Sequence, residues 1–389
     1  MDKAITTIAG VQNCCGCKAC ANACPKKAIH FVPDRYGFAY PQIDEKLCIH
    51  CGKCLKVCSY SKDKLAASTP IACYAAVHKN QAVLKKSSSG GVFGALAEIV
   101  LEEGGCVFGA AYDDDMNVRH IMVDNVENLD CLRGSKYVQS DIGFTYNEVK
   151  ELLKNNRKVL FSGTPCQIDA LKSVLGNDNT ENLFTVDLIC HGVPSITVFH
   201  RYIEYLEKKQ GNRITHYTFR SKSGRWGQLC ADYDYQSKTD GNIKKRILGR
   251  YDEYYLTEFL GGNLSRENCF SCKYATDKRV GDFTMGDFWG YQKGNIELDR
   301  DNGLSVLLVN TEKANLLMSR LREKLSLQEV DYSIAVAGNE CLRKPSTRGK
   351  RREHVLNLIV SGKSNQVYSE FKMRLLSSKI KRKIKSFFK

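Results

Sequence analysis

The chain contains one cysteine spacing twice. A C-x2-C-x2-C-x3-C run begins at Cys14, and the same run begins again at Cys48, with every member shifted by one common offset. The eight cysteines of the two runs are Cys14, Cys17, Cys20, Cys24, Cys48, Cys51, Cys54 and Cys58. An internal repeat constrains the fold more than any other feature of a sequence. Eight thiols in one register predict a small domain built around bound metal.

The spacing within each run favours iron–sulfur clusters. Three cysteines at intervals of three can surround one corner of an iron–sulfur cube, and the fourth cysteine of each run then binds the other cube. The predicted ligand sets are Cys14, Cys17, Cys20 and Cys58 for one [4Fe-4S] cluster, and Cys24, Cys48, Cys51 and Cys54 for the second. Zinc is the alternative, but zinc sites take four ligands in two pairs. Cys15 is surplus, and we predict a packed thiol beside the cluster unless it replaces Cys14.

The other cysteines indicate a reducing compartment. The chain holds 18 cysteines in 389 residues, and its first residues lack the charged start and apolar run of a secretory signal. The longest apolar stretch, residues 92–101, is interrupted by Glu98 and is too short to span a bilayer. A cysteine-rich chain without these segments is predicted to be cytoplasmic, with thiolates that bind metal rather than form disulfides.

Positive charge is concentrated near the C-terminus. Residues 340–389 contain 15 Lys and Arg against 3 Asp and Glu, whereas the rest of the chain has a net charge of only +3. This distribution excludes a basic body that wraps nucleic acid. Ile380, Ile384, Phe387 and Phe388 share one helical face among lysines. They predict an interfacial helix in peripheral contact with the inner membrane face; the alternatives are a solvated terminus or docking onto an acidic partner protein.

After a polar linker at residues 63–71, the pattern changes to strands that alternate with helices. The predicted strands include residues 72–77, 106–112, 158–162, 183–189 and 305–309, and the predicted helices include residues 91–102, 167–175 and 312–325. Such alternation predicts an α/β body with a mixed, largely parallel sheet. Residues 213–235 alternate polar and apolar side chains and predict an antiparallel segment.

Two glycine-bearing loops are candidates for ligand binding. Residues 87–91, Ser-Ser-Ser-Gly-Gly, precede a predicted helix whose free N–H groups and dipole would favour a phosphate. The alternative is that a serine there is simply an N-cap. Residues 281–290, Gly-Asp-Phe-Thr-Met-Gly-Asp-Phe-Trp-Gly, either approach a cofactor closely or form two ordinary turns.

A second group of cysteines lies in the body. Cys166 and Cys190 each follow a predicted strand, at the edge where open α/β sheets place their sites. Cys269 and Cys272 form a C-x2-C pair that could supply two further ligands. The four thiols together could complete one metal site. The alternative is a set of buried thiols beside a redox-active C-x2-C pair.

These motifs carry two family resemblances. Residues 5–60 resemble a bacterial-type two-[4Fe-4S] ferredoxin, and residues 72–345 resemble the coenzyme F420 hydrogenase/dehydrogenase beta-subunit family. The body motifs are residues 89–91 (Ser-Gly-Gly), 134–137 (Gly-Ser-Lys-Tyr), 163–167 (Gly-Thr-Pro-Cys-Gln), 190–192 (Cys-His-Gly), 269–272 (Cys-Phe-Ser-Cys) and 281–287 (Gly-Asp-Phe-Thr-Met-Gly-Asp). The implied architecture is an α+β ferredoxin-like domain followed by the α/β body.

The second resemblance implies cofactors and residue roles. It implies that Cys166, Cys190, Cys269 and Cys272 hold a third [4Fe-4S] cluster near an FAD. The residues it places around the flavin are Ser89, Gly90, Gly91, Lys136, Gly281, Asp282, Gly286 and Asp287. His191 is a candidate for a proton donor; the alternative is that it has a structural role. No motif identifies F420 as the substrate, and no GxGxxG sequence after a strand supports an NAD site.

The resulting expectation is an iron–sulfur flavoprotein oxidoreductase. It would pass electrons between a redox partner protein and a hydride carrier or organic substrate, with no nucleic acid involved. The alternative is a non-catalytic electron-transfer adaptor for a separate enzyme, with a weak pointer to surface-polysaccharide biosynthesis. The predicted domains are residues 1–62 (ferredoxin), 72–155 and 156–345 (the N- and C-terminal beta-subunit domains) and 346–389 (a basic tail), with the linker at 63–71.

Overall fold

The computed structural model describes residues 13–61, 67–224, 226–228, 230–249 and 251–387, with side chains as far as residue 377. Residues 63–66 of the predicted linker lie outside this part of the chain. The strands are β1 (Ile29–Pro33), β2 (Ala39–Ile43), β3 (Ala72–His78), β4 (Cys106–Tyr112), β5 (Val118–Val123), β6 (Val159–Gly163), β7 (Leu183–Leu188), β8 (Arg213–Thr218), β9 (Ala231–Gln236), β10 (Ile243–Leu248), β11 (Phe283–Asp287), β12 (Ser305–Val309) and β13 (Leu325–Glu329).

Helices connect most of these strands, and short 3-10 helices lie between them. The α-helices are α1 (Ala19–Asn22), α2 (Lys53–Val57), α3 (Gln81–Lys86), α4 (Val92–Glu102), α5 (Thr145–Lys154), α6 (Pro165–Leu175), α7 (Ile196–Gln210), α8 (Tyr254–Leu260), α9 (Asn315–Lys324), α10 (Tyr332–Gly338), α11 (Arg352–Val360) and α12 (Ser364–Phe387). The 3-10 helices are Ser59–Ser61, Leu129–Leu132, Glu267–Ser271, Tyr291–Lys293, Glu312–Ala314 and Glu340–Leu342.

The N-terminal segment repeats in its backbone as well as in its cysteines. Helices α1 and α2 begin at equivalent positions of the two runs, and each follows a left-handed residue, Lys18 with φ 60° and Gly52 with φ 70°. Two residues earlier, Gly16 and His50 are also left-handed. Alternation of left-handed and right-handed residues turns successive N–H groups inward and forms an anion-binding concavity of the kind found at Fe–S sites. The antiparallel pair β1–β2 joins the two halves.

The body is built on a mixed eight-stranded sheet. Its order is β13-β3-β12-β11-β7-β6-β4-β5. The prediction of a mixed sheet is confirmed, but the prediction that it is largely parallel is wrong. Only the pairs β11–β7, β7–β6 and β6–β4 are parallel, and the other four pairs are antiparallel. The sequence pattern located β3 and β12, but strand direction depends on which neighbour each strand meets.

Both faces of this sheet are covered, which explains the apolar runs in its strands. In β6, Leu160 faces a cluster with α4 and α9, whereas the next residue, Phe161, faces α5 and α6 on the other side. A separate three-stranded antiparallel sheet, β10-β9-β8, confirms the antiparallel prediction for residues 213–235. Its apolar face packs with α7 and α8 in a third cluster.

The N-terminal segment is packed against the body. Tyr36 and Phe38, in and after the turn between β1 and β2, are buried in the cluster formed by α7, α8 and the smaller sheet. The Ser195 hydroxyl donates to the carbonyl of Tyr36 at 2.6 Å and accepts the N–H of Val198 in the first turn of α7. Tyr146 of α5 donates its hydroxyl to the carbonyl of Cys17 at 3.1 Å. The two cysteine-bearing regions therefore meet across a packed interface.

Part of the predicted basic tail, residues 346–389, packs against the body. Val367 and Phe371 of α12 are buried against α7 and α8. Arg374 pairs with the buried carboxylate of Glu258. The helix continues to Phe387. The apolar face predicted at residues 380–388 lies outside the described side chains. No helix in the described part of the chain is long and apolar enough to cross a membrane.

Candidate redox site

The first N-terminal cysteine group lies at the interface with the body. Burial raises the pKa of Cys20 well above its usual range, and the neighbouring Cys14 and Cys58 raise it further. Burial also raises the pKa of Cys14, against an opposing effect of the nearby Arg266. Three of the four predicted ligands of one cluster thus influence one another directly. Buried thiolates so close together need a bound cation or cluster to remain ionised.

The second N-terminal group is closer to solvent. Cys51 is exposed, and Cys24, Cys48 and Cys54 are partly buried. Cys24 and Cys54 pack around Cys20, together with Cys58, in a small cluster that also contains Ile29. The packing of Cys24, Cys54 and Cys58 against one buried cluster fits the exchange of fourth ligands that the spacing predicts. The assignment of individual ligands remains a prediction.

The body cysteines are brought together by three separate turns. Cys166 occupies the second position of α6, where Thr164 is the N-cap, Pro165 takes the first position and Gln167 completes a capping box. This Thr-Pro-Cys-Gln sequence therefore fixes the thiol at the positive end of a helix, which favours a thiolate. Cys190 follows β7, and its sulfur accepts the N–H of Gly192 at 3.4 Å.

Cys269 and Cys272 complete the body group, in and immediately after the 3-10 helix Glu267–Ser271. Burial raises the pKa of Cys269 to about 12 and that of Cys272 to about 11, with further increases from the other cysteines. Burial also raises the pKa of Cys190, and the other three thiols add to the effect. The influence of the other three thiols on the pKa of Cys190 indicates that the four lie near one another. Four converging thiolates are the donor set that a [4Fe-4S] cluster uses.

Cys15 lies between the first N-terminal group and the body group. It is buried, and its thiol lies near enough to Cys166 and to Cys17 for each of them to shift its pKa. The contact with Cys15, followed by burial, raises the pKa of Cys166 well above its usual range. The position agrees with the prediction of a packed thiol beside a cluster. It also places the two groups next to each other.

A cavity of about 1070 Å³ opens beside the body group. Cys166 and Cys190 form part of its wall, and residues 87–89 and Gly91 face them from the start of α4. Small-molecule sites usually occupy about 300–1,000 Å³, so the space accommodates a dinucleotide-sized ligand. The predicted flavin residues that line it are Ser89, Gly91, Lys136, Gly286 and Asp287.

The wall near α4 is suited to an anion. Gly91 precedes the helix with φ 83° and no side chain caps the first turn, so N–H groups there are free to meet a ligand. The Lys136 ammonium donates to the carbonyls of Cys131 and Arg133 at 3.0 and 2.9 Å and has no carboxylate partner among the described residues. Burial lowers its pKa to about 8, so it remains largely protonated at neutral pH.

Three predicted flavin residues do not line the cavity. Gly90 packs against β3, where an added Cβ would lie 2.1 Å from the Ala76 carbonyl. Gly281 donates its N–H to Asp187, and Asp282 accepts bonds from the N–H and hydroxyl of Thr185. These two precede β11, whereas the cavity lies at its other end, about 20 Å along an extended chain of six residues. Gly281 and Asp282 belong to a buried hydrogen-bond network with Thr185 and Asp187.

Asp287, at the cavity end of β11, is already paired. Its carboxylate forms an ion pair with Arg220, which also donates to the Tyr137 hydroxyl at 3.1 Å and lies over the Trp289 ring. The Arg220–Asp287 ion pair forms part of the cavity wall. Gly286 lines the cavity, and an added Cβ there would lie 2.9 Å from Ile189.

Two histidines line the cavity. The Nε2 of His191 faces the carbonyl of Leu260 and its Nδ1 faces the thiol of Cys341 at 3.6 Å. Burial lowers the pKa of His191, so its ring is neutral at pH 7. His120 was missed by the sequence analysis, because a lone histidine in a strand gives no signal. Its Nε2 lies 2.9 Å from the Ser162 carbonyl, and its Nδ1 is buried without a partner.

Comparisons with known proteins agree with this architecture. Residues 156–333 match the family described as the C terminus of the coenzyme F420 hydrogenase/dehydrogenase beta subunit. Residues 13–62 match the 4Fe-4S dicluster domain. A search of curated proteins gives no match.

Among solved structures, the chain is similar to one in the F420-reducing [NiFe] hydrogenase complex from Methanosarcina barkeri, determined as a xenon derivative. The identity is 18%, with 76% of this chain and 90% of that chain covered and a TM-score of 0.46. The two family matches account for both cysteine-bearing regions. This chain therefore joins an N-terminal 4Fe-4S dicluster domain to a C-terminal domain of the coenzyme F420 hydrogenase/dehydrogenase beta-subunit family.

Proposed function

We propose that this chain is an iron–sulfur flavoprotein oxidoreductase. It transfers electrons between a redox partner protein and a hydride carrier or organic substrate. The supporting observation is that Cys166 and Cys190 of the body group lie in the wall of the large cavity, while Cys15 lies between Cys166 and Cys17 of the first N-terminal group. The proposed one-electron sites would thus be adjacent to a cavity large enough for a flavin.

The cavity has the features that a flavin dinucleotide needs. Its lining contains five basic residues and two acidic ones, which are Arg133, Lys136, Arg220, Arg348, Lys350, Asp287 and Glu340. The uncapped start of α4 and the Lys136 ammonium would hold the diphosphate. The Ser162 carbonyl can only accept a hydrogen bond, so the proton of His120 is on Nε2 and its unpartnered Nδ1 is an acceptor. A polar N–H or O–H of the ligand would satisfy that atom.

A bound flavin would supply two-electron hydride chemistry at one side and one-electron exchange with clusters at the other. The chain's own residues set the arrangement around it. Cys166 and Cys190 place the body group in the wall of the cavity. His191 carries its proton on Nε2, because the Leu260 carbonyl can only accept, and its Nδ1 meets the Cys341 thiol. With both ring nitrogens of the neutral ring partnered, these contacts favour the structural alternative for His191 over the role of proton donor.

The three cysteine groups form a sequence from the surface to the cavity. The second N-terminal group includes the exposed Cys51, the first includes the buried Cys20, and Cys166 and Cys190 of the body group line the cavity. Partly exposed cysteines mark the second group as the place where a one-electron partner protein exchanges electrons. This order supports a protein partner at one end and a small molecule at the other.

The composition of the anaerobically purified protein tests the proposal. We expect about twelve irons with matching acid-labile sulfide per chain for three clusters, one FAD and no stoichiometric zinc. About eight irons without flavin would contradict the cavity assignment and leave only the dicluster domain. Bound flavin without turnover, with activity restored by a co-purified partner, would instead favour the adaptor role.

Flavin affinity tests the predicted phosphate contact. Lys136→Met should weaken FAD binding about tenfold, or about 1.4 kcal/mol, because it removes the buried ammonium. Lys136→Arg should retain most of the affinity. Lys86→Met is the matched control, since Lys86 is an exposed lysine that pairs with Asp130. Equal affinities of all the variants would contradict the contact.

A further inference from the structure

Arg266 is a buried cation without an acidic partner among the described residues. Only 1% of its surface is exposed. Its guanidinium donates to the Gln139 side-chain oxygen at 3.0 Å, the Cys14 carbonyl at 3.2 Å and the Ala39 carbonyl at 2.9 Å. It also lies over the Tyr40 ring. Because arginine does not lose its proton in proteins, a full positive charge is held among neutral groups, which is costly unless a negative charge lies nearby.

Other buried arginines of this chain have such a charge. Arg279 pairs with Asp187 at 2.6 Å, and Arg352 pairs with Glu267 at 3.1 Å. Arg352 is the closest comparison, because both it and Arg266 lie over the Phe38 ring. The same aromatic surroundings therefore hold one arginine with a carboxylate and one without. The missing negative charge of Arg266 must come from something other than a described carboxylate.

Arg266 lies between the first N-terminal group and the body group. It donates to the Cys14 carbonyl, and its own carbonyl accepts the N–H of Cys269 at 3.0 Å. Gln139, which accepts from Arg266, donates to the Cys15 carbonyl at 2.9 Å. The guanidinium thus contacts the loops of both groups.

We propose that Arg266 is the shared counter-ion of the first N-terminal cluster and the body cluster, and that it raises the reduction potentials of both. The inference rests on the proposed three-cluster function. A [4Fe-4S]2+ core with four thiolates has a charge of about −2, and reduction by one electron makes it about −3. A fixed buried cation stabilises the more negative state, so both clusters accept an electron more easily.

The test compares Arg266→Met with Arg266→Lys and with Arg352→Met as the matched control. Each full-length protein is purified anaerobically, its iron is counted, and its clusters are titrated by EPR-monitored reduction. We expect Arg266→Met to shift two clusters to more negative potentials and to leave the third, on the exposed second group, unchanged. Arg266→Lys should shift them less, and Arg352→Met should leave all three unchanged.

The outcomes separate a charge effect from a structural one. Full iron with unchanged potentials in Arg266→Met would overturn the proposal. If Arg266→Met loses iron, recovery of iron in Arg266→Lys supports the counter-ion role, and equal loss in both overturns it. A wild-type protein with about eight irons would refute the third cluster, yet the shift of the first N-terminal cluster would still test Arg266.

Discussion

The N-terminal cysteines and the body cysteines differ in how they are brought together. The N-terminal cysteines lie on two short loops that share left-handed residues at equivalent positions, each loop leading into a short helix. The body cysteines come from the start of α6, the end of β7 and a distant 3-10 helix. Local backbone geometry is enough for the first arrangement. The second exists only when the eight-stranded sheet has placed β6 and β7 side by side.

Removal of one predicted ligand of the body group is expected to have the largest effect, a loss of bound iron, and it tests whether the two cysteine regions bind iron independently. Cys190→Ala should lose about four irons per chain and leave about eight, because the N-terminal groups do not depend on Cys190. Cys131→Ala is the control, since Cys131 is an exposed thiol outside all three groups. Iron and sulfide analysis measures the result. Loss of all iron would show that the two regions are not independent.

Disruption of the buried hydrogen-bond network around Asp187 is expected to have the next largest effect, a loss of stability. Asp187 is fully buried and accepts bonds from Arg279, Thr284 and the N–H groups of Val280 and Gly281. Asp187→Asn leaves the Arg279 charge unpaired and should cost about 3–5 kcal/mol of unfolding free energy.

Denaturant titration checks the size of this loss. Asp252→Asn, at the exposed ion pair with Lys372, should cost less than about 1 kcal/mol. We also expect Asp187→Asn to lose iron first from the body group, because Asp187 lies near the end of β7, shortly before Cys190. Equal loss from both regions would contradict the dependence of the body group on the sheet.

Two glycines with the same backbone conformation separate local geometry from packing. Gly16 and Gly52 both have φ 70°, so alanine at either costs about 1 kcal/mol for the left-handed conformation. At Gly16 the new Cβ would lie 2.6 Å from the Gln139 amide, whereas at Gly52 it meets nothing within 4 Å. We expect Gly16→Ala to cost about 2–4 kcal/mol in total. The melting temperatures of the two variants measure the difference. Equal decreases for Gly16→Ala and Gly52→Ala would contradict the close packing of Gly16 against Gln139 of the body.

The pH dependence of stability gives the smallest effect. Burial lowers the pKa of His120 to about 4, from about 6.5 in the unfolded chain. The unfolded state then binds more protons between these values, so stability falls as the pH falls through this window. The loss through His120 should be about 2 kcal/mol between pH 7 and pH 5. His120→Asn should show a flatter dependence in denaturant titrations, and an unchanged slope would contradict it.

The candidate site was predictable to different degrees along the chain. The Thr-Pro-Cys-Gln sequence already specifies a capped helix start, so the position of Cys166 could be predicted locally. The role of Gly281 and Asp282 could not be assigned from the sequence, because the same residues suit either a ligand-binding loop or a buried hydrogen-bond network. His120 gave no pattern at all. Its place in the cavity wall follows only from the pairing of β5 with β4.

The sequence by itself determined the two N-terminal cysteine loops, because their ligands, left-handed residues and helix starts all lie within a few residues of one another. It also determined which segments form most strands of the body, because apolar runs between two covered faces are visible in one dimension. Only the tertiary structure decided the strand directions, the contact of Cys15 with Cys166 and the burial of Arg266 without a carboxylate. These features depend on which distant segments meet, and that choice is made by packing over the whole chain.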